Sequence, residues 1–147
     1  MPDTKIDLPT EIGGKPLMVT CTIQVPFERI TNCITGAIEG GSTYWCNTFT
    51  NLPASSDLRE EIRADGNVWY DEPAFWERGG GAHLEFDKPT DDHPGTANIG
   101  IADLVKGLST MARVAPRHFA DLVNENDDAT THDVFLQCVL FEEIIFG

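Results

Sequence analysis

Asp133-Val-Phe-Leu-Gln-Cys-Val-Leu-Phe-Glu-Glu-Ile-Ile-Phe-Gly147 is apolar on nearly every side. Its Val, Ile and Phe content suits a strand. Its length, about fourteen residues, exceeds a usual strand, so the reading is a helix. A helix apolar all round is either central in a core or shared with another copy of the chain. The expectation is therefore a homo-oligomer. Just upstream, Asn124-Glu-Asn-Asp-Asp128 forms a polar turn, and Asp128 or Thr131 can cap the final helix.

Working outward, residues 118–124 read as helical. Ile101, Leu104, Val105, Leu108 and Met111 place one apolar face on a helix over residues 99–114. Pro116 cannot continue that helix, so a kink or a new helix begins there. Towards the N-terminus, Leu17-Met-Val-Thr-Cys-Thr-Ile-Gln-Val25 alternates in polarity from Val19 and reads as a strand. Pro26 opens a segment with Phe27, Ile30, Ile34, Ala37 and Ile38 at helical spacing, and Gly40-Gly41 supplies the stop. Strands follow at 43–49 and 82–86, with a short helix at 58–64 and aromatic patches at 67–70 and 74–76. Gly79-Gly-Gly81 lacks the G-K-[ST] ending of a phosphate loop and reads as a hairpin or bulge. The order is that of a single α+β domain over residues 1–147, a small antiparallel sheet packed by helices and ending in two helices.

The chain has 147 residues, enough for a core without staples, and carries 24 acidic residues against 10 Lys plus Arg, a formal charge of −14. That balance argues against direct binding to nucleic acid, which needs cations for phosphates. Cys21, Cys33, Cys46 and Cys138 form no C-x-x-C pair, and the four histidines form no metal-ligand pattern. No metal or cofactor is expected. The N-terminus shows no apolar signal region and no stretch approaches the ~20 apolar residues of a membrane helix, so the expectation is an intracellular protein.

Against this acidic background, Met111-Ala-Arg-Val-Ala-Pro-Arg-His118 stands out. Arg113 and Arg117 are the last cations, and seven acids follow Arg117. If Pro116 starts a helix, its free N–H groups and positive dipole end lie beside Arg117 and His118. Two guanidiniums at a helix end suit a phosphate; the plainer reading is that both arginines neutralise surface carboxylates. Arg78 and Lys88 are further candidate cations. Tyr44, Trp45, Trp69, Tyr70, Trp76 and Phe86 offer rings that stack on a base, although each is individually a core candidate. No nucleophile elbow is present and His118 with Asp121 is a weak acid/base pair, so a binding protein is expected rather than an enzyme.

Ala37-Ile-Glu-Gly-Gly-Ser-Thr-Tyr-Trp45 and residues 118–147 together resemble a family of small phage and prophage proteins. In that family E-G-G-x-x-Y-W precedes a C-terminal D-A-x-T-x-D-V-F-L-Q…F-G-E-I-x-F-G run. Here Glu142 or Glu143 stands at an expected glycine, and His132 where a small residue is usual. The chain resembles in turn the first type of Thoeris anti-defence sponge proteins of phages. The resemblance implies a homo-oligomer, built from dimers with a hexamer as one arrangement, that sequesters a cyclic-nucleotide immune signal in the host bacterial cytoplasm, such as glycocyclic ADP-ribose or a cyclic oligonucleotide, without cleaving it. Phe86, Asn98, Arg113 and Arg117 would serve such a ligand, with Tyr44, Trp45, Arg78 and His118 in support; Phe86, Asn98, Arg113 and Arg117 lie outside the matched motifs and are assigned on chemistry alone. The rival reading is an acidic protein that mimics nucleic acid and blocks a host nuclease or CRISPR complex.

Overall fold

The structure, a computed structural model, describes residues 11–147. A two-residue pairing of β1 (Glu11–Ile12) with β2 (Lys15–Pro16) comes first. Residues 17–25 follow without any strand ladder, against the strand expected there. The β-forming composition is present, but no strand among the described residues pairs with it.

Helix α1 (Phe27–Gly36) continues into a π-helical turn over Ala37–Gly41, so the glycine pair ends the element as expected. Strand β3 (Cys46–Asn51) leads through a 3-10 turn to α2 (Ser56–Ala64). The second aromatic patch is helical: Pro73 opens α3 (Pro73–Glu77), and Glu72 caps it by accepting from the Ala74 N–H. Strands β4 (Ala82–Phe86) and β5 (Thr96–Ile99) complete a three-stranded antiparallel sheet of order β3-β4-β5. Strand β5 was not expected, because Thr96-Ala-Asn-Ile99 is too short to show a period. Its register, Ala82↔Ile99 to Glu85↔Thr96, comes from pairing with β4.

Helices α4 (Ile101–Val114), α5 (Pro116–Val123) and α6 (Ala129–Phe141) form the C-terminal part. The fold is α+β, a small sheet packed by helices. Helix α6 lies at its centre, packed by α1, α4, α5 and the π-helical turn. Val134, Phe135, Leu136, Gln137 and Cys138 are all buried within one chain. The apolar perimeter of α6 is thus largely consumed inside the protomer, while Ile144 and Ile145 of the tail stay exposed. Close packing of α4 on α6 depends on Gly107, where a Cβ would stand 2.3 Å from Val139 Cγ2. Helix α6 ends at Glu142, whose φ of 61° is left-handed, and the last residues fold back as a tail.

Candidate functional site

Pro116 does start a new helix. Ala115 alone separates α4 from α5, and the Ala115 carbonyl accepts from the Phe119 N–H at 3.0 Å. Arg113 falls in the last turn of α4 and Arg117 in the first turn of α5; both are exposed. No side chain caps α5, and its first turn holds no acidic residue. A helix N-terminus favours negative charge, so Arg117 and His118 sit where an anion would relieve both the dipole and the guanidinium.

Arg29, Arg59, Arg63 and Arg78 each lie within 4.0 Å of a carboxylate. Among the described residues, Arg113 and Arg117 have no such partner. Surface neutralisation by direct ion pairing therefore does not describe them. The neighbourhood of His118 differs from that of Arg113. Positive charge on His118 adds to the Thr131 hydrogen bonds that hold the Asp128 carboxyl below its ordinary range. Arg113 instead acts at the other end of α6, lowering Glu142 after the larger effect of Lys106, and opposing the burial that pushes the Cys138 thiol up to about 11. The described contacts do not bring His118 and Arg113 together.

The remaining candidates lie elsewhere. Phe86 and Trp45 are buried and pack edge-on at 6.0 Å, so neither ring offers a free face; Trp69 and Trp76 are buried as well. Asn98 is engaged with His83 across the sheet at 2.7 Å. Arg78 pairs with Glu61 at 2.9 Å. Tyr44 is exposed but spends its hydroxyl on Asp133.

That contact belongs to a buried hub that joins the two stretches carrying the family resemblance. Asp133 Oδ1 accepts from Ser42 Oγ at 2.8 Å and from Trp45 Nε1 at 2.7 Å. Its Oδ2 accepts from Tyr44 Oη at 2.6 Å and Gln137 Nε2 at 3.2 Å. Gln137 Oε1 then accepts from the Ile145 and Phe146 N–H groups at 2.7 and 2.8 Å. Phe146 stacks on Trp45 with centroids 5.0 Å apart. Four donors on a carboxylate, with no cation in contact among the described residues, make a structural lock, holding the tail against α6 and the aromatic cluster. Burial and the Asp133 hydrogen bond push the Tyr44 phenol up to about 12.

A second cluster had no signal in local spacing, because its members are far apart in the chain. Arg29 Nη2 donates to Asp127 Oδ1 at 2.7 Å and to the Leu122 carbonyl at 2.8 Å. His132 Nε2 meets Asp127 Oδ2 at 2.6 Å, and Cys33 Sγ completes a group of three potential ligand atoms within 4.8 Å of one another. The imidazole fits only because Gly36 lacks a side chain: a Cβ there would lie 1.9 Å from His132 Nδ1. Cys33 is fully buried, and burial followed by Asp127 pushes its thiol up to about 12, so it is a poor nucleophile. The Asp127 carboxylate is already shared between Arg29 and His132. The arrangement ties α1 to the turn before α6 rather than presenting an open site.

No family model matches the chain, and no curated protein or solved structure does so either.

Proposed function

We propose that the protein binds a small phosphorylated, nucleotide-like ligand without cleaving it, and that Arg113 and Arg117 at the α4–α5 junction supply its anion contact. In the context that the family resemblance implies, the ligand is a cyclic-nucleotide immune signal and the protein a phage anti-defence sponge acting in the host cytoplasm. One observation carries the reading: these are the only arginines among the described residues without a carboxylate partner, in a chain with 24 acids. The uncapped start of α5 adds backbone donors beside Arg117. The buried aromatics require that any base stack on an exposed edge or remain in solvent.

The test is calorimetric titration of wild type, Arg113→Ala and Arg117→Ala with cyclic ADP-ribose isomers and cyclic oligonucleotides. Binding by wild type and a loss of about tenfold or more in each variant, roughly 1.4 kcal/mol, is expected. No heat from wild type with any of these ligands, or unchanged affinity in both variants, overturns the proposal. A stoichiometric basic protein recovered from host lysate, with no small molecule released on heating, would instead favour the acidic-mimic reading.

A further inference from the structure

The segment Leu17-Met-Val-Thr-Cys-Thr-Ile-Gln-Val25 has the composition of a strand, yet among the described residues no ladder pairs it. Its alternate residues Cys21, Ile23 and Val25 line one cavity of about 500 Å3, closed on the other side by Leu108 and Ala112 of α4 and Phe119 of α5. That spacing is the period of an extended chain with one face turned to the helices. Leu17, Val19 and Ile23 remain exposed, Val19 at 78 %. An unpaired strand with exposed apolar side chains is a template for pairing with another strand.

Two features of this segment select its partner. It is neutral from Pro16 to Phe27 in a chain of charge −14, so it is a place where two copies approach without placing acid against acid. Its sequence also reads nearly the same in both directions about Cys21: Thr20 with Thr22, Val19 with Ile23, Met18 with Gln24, Leu17 with Val25. A two-fold axis through Cys21 would pair like with like along an antiparallel ladder, the self-complementarity that an isologous interface requires. In that register Leu17 and Val19 of the partner subunit stand beside Val25 and Ile23, on the face that lines the cavity.

We propose that residues 17–25 form an antiparallel, two-fold symmetric strand pair with a second copy of this chain, centred on Cys21, with the apolar side chains of the partner entering the cavity against α4 and α5. A strand of this length is about 30 Å long, and pairing it alone buries an area at the low end of specific interfaces, so the dimer is concentration-dependent. This inference is independent of the ligand reading, and its test uses the protein without ligand.

Sedimentation velocity of the full chain from micromolar to hundreds of micromolar should show dimer increasing with concentration. Val19→Lys, at an exposed position, should abolish the dimer while far-UV circular dichroism stays unchanged. Cys21 is the only exposed cysteine among the described residues. Directly opposed residues lie close enough for a disulfide. Diamide, which takes up the two thiol hydrogens, should therefore link wild type into a covalent dimer. In Cys21→Ser carrying Thr22→Cys, the thiols leave the axis and the linkage should be at least about tenfold slower. A monomer at every concentration, a dimer indifferent to Val19→Lys, or equal crosslinking through position 22 each overturns the proposal.

Discussion

Replacing Asp133 by Ala should destabilise the fold by about 3 kcal/mol, a large part of the 5–15 kcal/mol typical of a domain. The figure follows from the two donors that meet Oδ1, Ser42 Oγ and Trp45 Nε1, both in buried hydrogen bonds. Each would be stranded at a cost of about 1–3 kcal/mol, offset in part by relief of a buried carboxylate. Asp133→Asn should cost less, about 1–2 kcal/mol, because one oxygen still serves those donors. Its new amide would face Gln137 Nε2, which cannot turn away while Gln137 Oε1 holds Ile145 and Phe146. Equilibrium urea unfolding should rank wild type above Asn above Ala. Phenolate absorbance gives a second reading on the same hub. Tyr44 and Tyr70, the only tyrosines, are both pushed up to about 12, by burial first and then by Asp133 and Glu39 respectively. A raised phenol stabilises the fold below its unfolded pKa, and that contribution is lost as pH rises through about 12. In Asp133→Asn one tyrosine should therefore titrate earlier while the other holds. If Asp133→Ala costs less than about 0.5 kcal/mol, or if both tyrosines titrate as in wild type, the hub is not the lock described.

Asp127 gives a pH-dependent counterpart. Burial opposes its ionisation, but the hydrogen bond with His132 and the charge of Arg29 outweigh it and hold the carboxyl below its ordinary value. A lowered carboxyl stabilises above its unfolded pKa and loses that contribution as pH falls through the folded one. Asp127→Asn should thus cost about 1–2 kcal/mol near neutral pH, and the gap to wild type should narrow as pH falls below the ordinary carboxylate range; a gap that stays constant throughout contradicts the assignment. Glu142 holds a left-handed conformation, φ 61°, a region that favours glycine, and its side chain pairs with Lys106 at the surface. Glu142→Gly removes the Cβ penalty and should raise Tm by up to about 3 °C; a fall in Tm would mean that the Lys106 pair outweighs the backbone term.

What the sequence disclosed followed the range of each signal. Periodicity reached α1, α2, α4 and β4, and Pro116 located the start of α5, because those cues act within a few residues. Asp128 was recognisable as a cap, and it does accept from the Thr131 N–H at 3.0 Å. The C-terminal run was read as a helix, but its all-round apolarity could not distinguish a central position from a shared one; packing by α1, α4 and α5 decided it. Residues 17–25 show the opposite limit, since propensity for a strand cannot supply a partner. Both polar clusters were illegible, because Arg29 meets Asp127 at a separation of 98 residues and Ser42 meets Asp133 at 91. A single sequence carries no mark of which distant polar residues will share a buried site.

The hub changes what the motif resemblance can transfer. Ser42, Tyr44 and Trp45 come from the first matched stretch, Asp133, Gln137 and Phe146 from the second, and together they close one hydrogen-bonded lock around the tail. Residues of that kind specify how α6 seats against the sheet and the π-helical turn, so the motif residues here serve packing. They do not reach solvent in a form that grips a ligand, because their polar atoms are already engaged. The proposed binding then rests on groups whose chemistry is unspent, and Arg113 and Arg117 lie outside the hub and, among the described residues, without carboxylate partners. A chain that kept both motifs but lacked these arginines would have every reason to fold this way and none to capture a phosphate at this junction.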